Sequence, residues 1–290
     1  MDQADLLKKL RVERKISQAN LTKQISSRTT LSSFETRHTL LSSEILLRYL
    51  DRMNIKLPEF MFYLQNNKIT LKEATAKNFV EILYKNSPPQ KIEEFRNQLL
   101  SLFKQTNDEY YFILLIQFNM LLAKEKDVLN LEVFEKEIRY IRDRLFRIET
   151  WGYFELTTFN NLMFIFPTDT IKLLFKNSEE KMKLFYKNNF YPSLYTSFLI
   201  NGCYLSFERK NLDLLSIFLA PLKRLAVKSK NVYEQIYYKI FSTLSPICEE
   251  NVATIDINKI EGLINIFYLL DNNDKAMELK KFFHSVYAQK

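Results

Sequence analysis

Residues 16–60 read ISQANLTKQISSRTTLSSFETRHTLLSSEILLRYLDRMNIKLPEF. Leu21 and Ile25 are spaced four apart, and Leu31 and Phe34 three apart, so each pair lines one side of a short helix. Ser17 stands where it can cap the first helix and Ser27 where it can cap the second. The second is apolar only at Leu31 and Phe34. Its other face, Arg28, Thr29, Thr30, Ser32 and Ser33, must therefore look outward. Two crossed helices joined by a short turn, the second polar and basic near its start, form a helix-turn-helix suited to a major groove.

Outward from this core, a helix over Ala4–Lys15 buries Leu6, Leu7 and Leu10. A fourth runs from Ser43 to Met53 with Leu46, Leu50 and Met53 inward, and Asn54 ends it. Pro58 suits the first turn of a fifth, followed by Phe60, Phe62 and Leu64. Gln18 opens the second helix, where its side chain and the free backbone N–H groups can hold a phosphate. From Lys8 to Arg37 eight basic residues face only Glu13 and Glu35, a local excess suited to phosphates within a chain of net charge +8.

Three glycines and seven prolines in 290 residues leave too little punctuation for sheets or glycine-rich catalytic loops, so the chain is expected to be all-α. Beyond Ile69 amphipathic helices are expected over 72–85, 89–105, 108–125, 131–148, 151–166, 168–175, 178–189, 192–209, 212–228, 231–249, 257–270 and 273–288. Polar turns such as Asn86-Ser87-Pro88-Pro89, Lys210-Asn211 and Asp271-Asn272-Asn273 join them. Phe207–Asp213 and Tyr268–Ala276 repeat one pattern: an aromatic, a polar turn, then a new apolar stripe. This looks like the tetratricopeptide (TPR) helix pair, in a degenerate form, and points to an α-solenoid. The division expected is 1–65, a linker at 66–72, and a repeat domain over 73–290.

A solenoid offers a groove lined by polar and aromatic residues on otherwise apolar helices. Trp151-Gly152-Tyr153-Phe154-Glu155-Leu156 with Phe159-Asn160-Asn161 is the richest stretch, and Tyr195, Asn201 and Tyr204 follow it. Asn amides can pair with both the N–H and C=O of an extended peptide. Arg139, Arg142 and Arg147 can meet a peptide carboxylate. Each of these positions has a plainer reading as a packing or solvated residue.

The first domain resembles the lambda-repressor-like (XRE) helix-turn-helix domains. The resemblance rests on Ile16-Ser17-Gln18, Leu21, Ile25, Leu31, Phe34-Glu35, Leu46, Leu50, Asn54-Ile55 and Glu59-Phe60. It implies that Gln18 touches a phosphate and that Arg28, Thr29, Thr30, Ser32 and Ser33 read bases, with Lys23 and Arg37 among the DNA contacts. Arg28 could equally sit on a guanine or a phosphate. The chain departs from the pattern at Ser33, where arginine is common, and at Glu35-Thr36-Arg37, which lacks the usual glycine stop. The helix then either runs longer or turns unusually at Arg37-His38.

The whole chain resembles the Rgg/GadR/MutR regulators within the peptide-responsive RRNPP group. This follows from the first domain, the length, and the Trp-Gly-Tyr-Phe-Glu-Leu…Phe-Asn-Asn stretch. The resemblance implies a homodimer on double-stranded promoter DNA whose repeat domain takes a short signalling peptide. The rival reading is a helical-repeat adaptor whose first domain does not bind DNA.

Enzyme chemistry is not expected. His38 and His284 are the only histidines, no metal-ligand spacing is present, and no phosphate loop or nucleophile elbow occurs. The adjacent pairs Glu179-Glu180 and Glu249-Glu250 point to different sides of a helix. No cofactor is expected. Cys203 and Cys248 suggest a reducing compartment; whether they pair is open. No signal peptide is visible and no segment reaches the ~20 apolar residues of a membrane span, which points to the cytoplasm and to no membrane partner.

Overall fold

The computed structural model describes residues 1–65, 68–85, 87–188, 191–228, 232–249 and 255–288. Residues 66 and 67 of the expected linker, Asn86 of the 86–89 turn, the 178–189 terminus at 189, the 231–249 start at 231, and Glu250 lie outside these. Among the described residues the fold is all-α, with no strand. None of the described helices is long and apolar enough to cross a membrane. The chain forms two compact units, Met1–Ile92 and Glu93–Lys290.

The first unit holds α1 (Gln3–Glu13), α2 (Gln18–Thr22), α3 (Arg28–Arg37), α4 (Ser43–Arg52), α5 (Leu57–Leu64) and α6 (Leu71–Tyr84). Side chains cap most of these starts: Asp2 for α1, Ser17 for α2, Ser27 for α3, Ser42 for α4 and Thr70 for α6. At α5, the Glu59 carboxylate instead accepts from the Lys56 N–H at 2.7 Å. Leu6, Leu7, Leu21, Leu31, Tyr49, Leu50 and Phe60 form its core, each almost wholly removed from water. The second unit takes most of α7 (Pro89–Thr106), which begins in the first.

Then follow α8 (Glu109–Glu125), α9 (Glu135–Arg147), α10 (Tyr153–Leu162), α11 (Thr168–Lys187), α12 (Pro192–Glu208), α13 (Leu212–Lys228), α14 (Val232–Leu244), α15 (Ile257–Leu269) and α16 (Asn273–Tyr287). Single 3₁₀ segments extend α10 and α14, over Met163–Ile165 and Ser245–Glu249. The helices stack in two rows. In one, α8 packs on α10, α10 on α12 and α12 on α14; in the other, α11 packs on α13. Each helix also packs on its chain neighbour from α11 to α16, so the array is a TPR-like solenoid.

Two differences from the sequence reading have plain causes. The expected helices over 168–175 and 178–189 are one helix, α11. Lys176-Asn177-Ser178 reads as a break, but Ser178 is buried and its hydroxyl donates to the Phe175 carbonyl at 3.1 Å, inside the helix. The expected helix over 131–148 begins only at Glu135, because Leu131–Phe134 form turns.

The scarcity of glycine is met by other residues. Nine non-glycine residues among those described have positive φ, and no glycine does. Lys15, Asn54, Asp127, Lys210 and Asp271 each sit two residues past the last residue of a helix in this left-handed conformation. After each, the next N–H reaches back five residues: Ile16 to Arg11, Ile55 to Leu50, Val128 to Ala123, Asn211 to Ser206, and Asn272 to Phe267, at 2.9–3.1 Å. This is the Schellman closure. The turns at Lys210 and Asp271, paired by sequence as a repeat, are thus closed alike.

Gly202 is required for a close approach. A Cβ there would run into the Phe218 ring where α12 meets α13. Gly202→Ala should lower the stability of the second unit by about 1–3 kcal/mol. Denaturant unfolding followed by fluorescence of Trp151, the chain's only tryptophan, would show it as a lower midpoint.

Candidate nucleic-acid and ligand interfaces

The α3 helix divides cleanly. Leu31, Phe34 and Glu35 are buried; Arg28, Thr29, Thr36 and Arg37 are exposed; Thr30, Ser32 and Ser33 lie between. At 100° per residue, Arg28, Thr29, Ser32, Ser33, Thr36 and Arg37 share one half of the helix. Thr36 belongs to that face, and the sequence reading passed over it. Thr30 is partly committed to the helix start, with its Oγ1 2.8 Å from the Ser27 Oγ. Lys23 is exposed in the turn before α3. At the far end α3 stops at Arg37 and His38 takes the left-handed conformation (φ 53°), so the missing glycine produces an unusual turn, not a longer helix.

One ion pair fixes the inner side. The Arg11 guanidinium grips the Glu35 carboxylate with both branches, Nε to Oε1 at 2.6 Å and Nη2 to Oε2 at 2.7 Å, while Nη1 donates to the Ile16 carbonyl at 2.8 Å. Gln18 Nε2 donates to the same carboxylate at 2.8 Å. Gln18 is therefore held inward at the start of α2, with one amide N–H already committed. Glu35 is 2% exposed. Burial acts to raise its carboxyl pKa, but the bonds from Arg11 and Gln18 and the charges of Arg11 and Lys8 outweigh it and hold the group below its ordinary 4.5. The pair thus adds stability that is complete above the ordinary carboxylate range and is lost as pH falls through the depressed value.

His38 and Asp2 tie α3 to α1, with Nδ1 2.5 Å from Oδ2. The Asp5 N–H bonded to Asp2, opposed by slight burial and aided by His38, lowers the Asp2 carboxyl pKa. Asp2, Asp5 and His38 bring potential metal-ligand atoms within 4.8 Å of one another on the surface. Chain spacing gave no sign of this group, because α1 and α3 meet only in the fold.

In the second unit the candidates separate. Asn160 and Asn201 come together on α10 and α12, with the Asn201 amide donating to Asn160 Oδ1 at 3.1 Å. Asn161 donates to Gln117 Oε1 at 3.0 Å, and Gln117 donates to the Thr158 hydroxyl at 3.3 Å, so a chain of amides crosses from α8 to α10. Tyr153 is half exposed, and its ring lies tilted against that of Tyr191 with centroids 4.3 Å apart. Tyr195 is buried and its hydroxyl donates to Glu179 at 3.3 Å; burial, reinforced by that carboxylate, pushes its pKa far up. Tyr204 stands among Phe241, Phe282 and Tyr237. Both tyrosines therefore serve as packing residues in this conformation.

Arg139 and Arg142 make exposed ion pairs with Glu135 and Asp143, and Arg147 is exposed. Sequence reasoning missed their neighbour Arg144, which donates to Glu109 at 2.6 Å and Glu155 at 3.3 Å and lies over the Phe154 ring. Trp151, whose indole N–H donates to the Leu145 carbonyl at 3.0 Å, is core. Cys203 is buried and in no disulfide, and burial pushes its thiol pKa up; Cys248 is partly buried.

The profile described as "HTH-type transcriptional regulator Rgg, C-terminal domain" matches residues 124–281, more than half of the chain. The chain belongs to the Rgg family of transcriptional regulators. That class is not an enzyme class. No curated protein matches this Rgg-family chain in sequence. Among solved structures it is similar to a protein from Listeria monocytogenes EGD-e described as a transcriptional regulator, at 17% identity and TM-score 0.77, covering 98% of this chain and 97% of the other. It is similar to the SHP pheromone receptor Rgg2 of Streptococcus dysgalactiae at 18% identity and TM-score 0.72, over 98% and 99% of the two chains. It is also similar to the receptor of a bacterial peptide pheromone complex, at 16% identity and TM-score 0.70, over 99% of both. At these identities the structural likeness establishes the shared fold of the Rgg family.

Arg11→Met should cost about 3–5 kcal/mol, because it strands a buried carboxylate. Hydrogen exchange of the α1–α3 amides in the full chain is expected to show the loss. In the wild type the same amides should lose protection on acidification below 4.5, the ordinary Glu35 value.

Proposed function

We propose that the α3 face binds promoter DNA, that the chain acts as a cytoplasmic homodimer, and that its repeat array takes a short signalling peptide that shifts promoter binding. The observation that carries this is the exposed polar and basic half of α3, held rigidly from behind by Arg11 and Glu35. Rigidity matters because base discrimination of ~1–3 kcal/mol per contact needs a side chain held in place. Arg28 and Thr29, at the start of α3, are the leading readers, with Ser32, Ser33 and Thr36 behind them. Lys23 and Arg37 serve the phosphates. Two heads in a dimer reach two half-sites and multiply the affinity of one.

For the peptide, the Asn160–Asn201 pair and the tilted rings of Tyr153 and Tyr191 supply amide and aromatic contacts. An extended chain can exchange its own N–H and C=O groups for the inter-amide bond at little net cost. The solved relatives described as pheromone receptors support this reading. Coupling needs only that peptide favours one arrangement of the dimer, typically by ~1–3 kcal/mol.

Fluorescence anisotropy on DNA from upstream of the chain's own gene tests the first part. Affinity should fall steeply with salt, with a log–log slope of about −0.9 per phosphate contacted. Arg28→Ala should narrow the gap between this DNA and a scrambled duplex. A flat salt response would count against DNA binding and favour an adaptor role. For the peptide, titration with a synthetic library of short hydrophobic peptides should yield binders that Asn201→Ala weakens by about tenfold, or ~1.4 kcal/mol.

A further inference from the structure

The α2 helix holds only part of its own end, where the Thr22 carbonyl accepts from the Ile25 and Ser26 N–H groups at 2.9 and 3.0 Å. It spans only Gln18–Thr22, with no basic residue in its last turn. A helix this short leaves its final carbonyls without helical partners. The chain then passes through Gln24, which is not glycine but has φ 61°, a left-handed conformation that persists only where its surroundings impose it.

Partners for other carbonyls along this path come from α4. Arg52 Nη1 donates to the carbonyls of Asn20 at 3.3 Å and Leu21 at 3.1 Å, and also to that of Lys23. Arg48 Nη2 donates to the carbonyl of Gln24 at 2.6 Å. Between them, the Tyr49 hydroxyl bonds the Ser26 hydroxyl, one residue before the Ser27 cap of α3. Residues 48, 49 and 52 share one face of α4. That face holds the path from Asn20 to Ser26, which decides where α3 begins and at what angle.

We infer that Arg52 is a positioning residue for base recognition. Its guanidinium fixes the α2–α3 turn and thereby the place of Arg28 and Thr29, without touching DNA itself. The inference rests on the DNA-binding reading above. Although Arg52 is exposed, one branch of its guanidinium is committed to three carbonyls. It gathers the carbonyl ends of α2 as a basic residue in the last turn would, from a different helix.

The test uses the full chain and two duplexes: one selected by the wild type from a random pool, and a scrambled one. Anisotropy titrations at several salt concentrations give the selectivity ratio and the salt slope. A variant that merely lowers the folded fraction weakens binding to both duplexes alike, so the ratio is unmoved by a purely structural effect. Arg52→Ala should cut the ratio by about tenfold, leave scrambled binding within about twofold and keep the slope. Arg52→Gln, neutral but still carrying two N–H donors, should retain most of the ratio.

Equal weakening on both duplexes with a slope smaller by about one, in Ala and Gln alike, would make Arg52 a phosphate contact and overturn the proposal. An unchanged ratio in Arg52→Ala would overturn it too. If circular dichroism shows Arg52→Ala unfolded, Arg52→Gln decides: a retained ratio and slope supports positioning, and a slope lower by about one refutes it. A wild type that selects no duplex removes the DNA-binding reading itself, an outcome distinct from any of these.

Discussion

The buried pair of Arg11 and Glu35 is the constraint on which the first unit depends. Two charges leave water together, and neither can be left alone there without a penalty of several kcal/mol. Arg11 sits at the end of α1 and Glu35 near the end of α3, so satisfying the carboxylate fixes one helix against the other. Gln18 joins the same carboxylate and brings the start of α2 into register. The rest of α3 is free to be polar because its position does not depend on apolar burial all round. Its outward face can therefore be built almost entirely from serine, threonine and arginine.

The second unit works by a different constraint. A helix pair cannot bury its apolar side alone, so each pair needs the next. The aromatic contacts show this continuity: Phe159, Phe198, Phe175 and Phe218 run from α10 through α12 and α11 to α13. Some polar groups in this array are satisfied between neighbouring helices, as in Gln117 with Asn161 at 3.0 Å or Thr196 with the buried Glu234 at 3.0 Å. Such bonds tie the stacking of the helices to the polar surface they share.

Helix starts were legible from Ser17 and Ser27 with their neighbours, because capping is a local event among residues a few positions apart. The stops were harder. With so little glycine, the left-handed turns at Lys15 and Lys210 fall on residues whose identity does not announce that conformation. The polar stretch inside α11 misled for a related reason: a serine that bonds to its own helix has the same composition as one that ends it. Among the site residues, the outward face of α3 followed from two apolar positions. The pairing of Asn160 with Asn201 did not, since it requires knowing which helices adjoin.

By itself the sequence determined the helical class, the small domain of crossed helices at the start, the repeat pattern of the remainder and the face of α3 that looks outward. Each of these is a periodic or nearest-neighbour property, set by residues within about one or two helical turns. Only the tertiary structure decided that Arg11 meets Glu35, that α4 supports the turn before α3, that Asp2 meets His38, and that Tyr195 turns inward to Glu179. Those contacts join residues 16 to 36 positions apart on different helices. Their pairing is set by how whole helices pack, which short-range spacing does not encode.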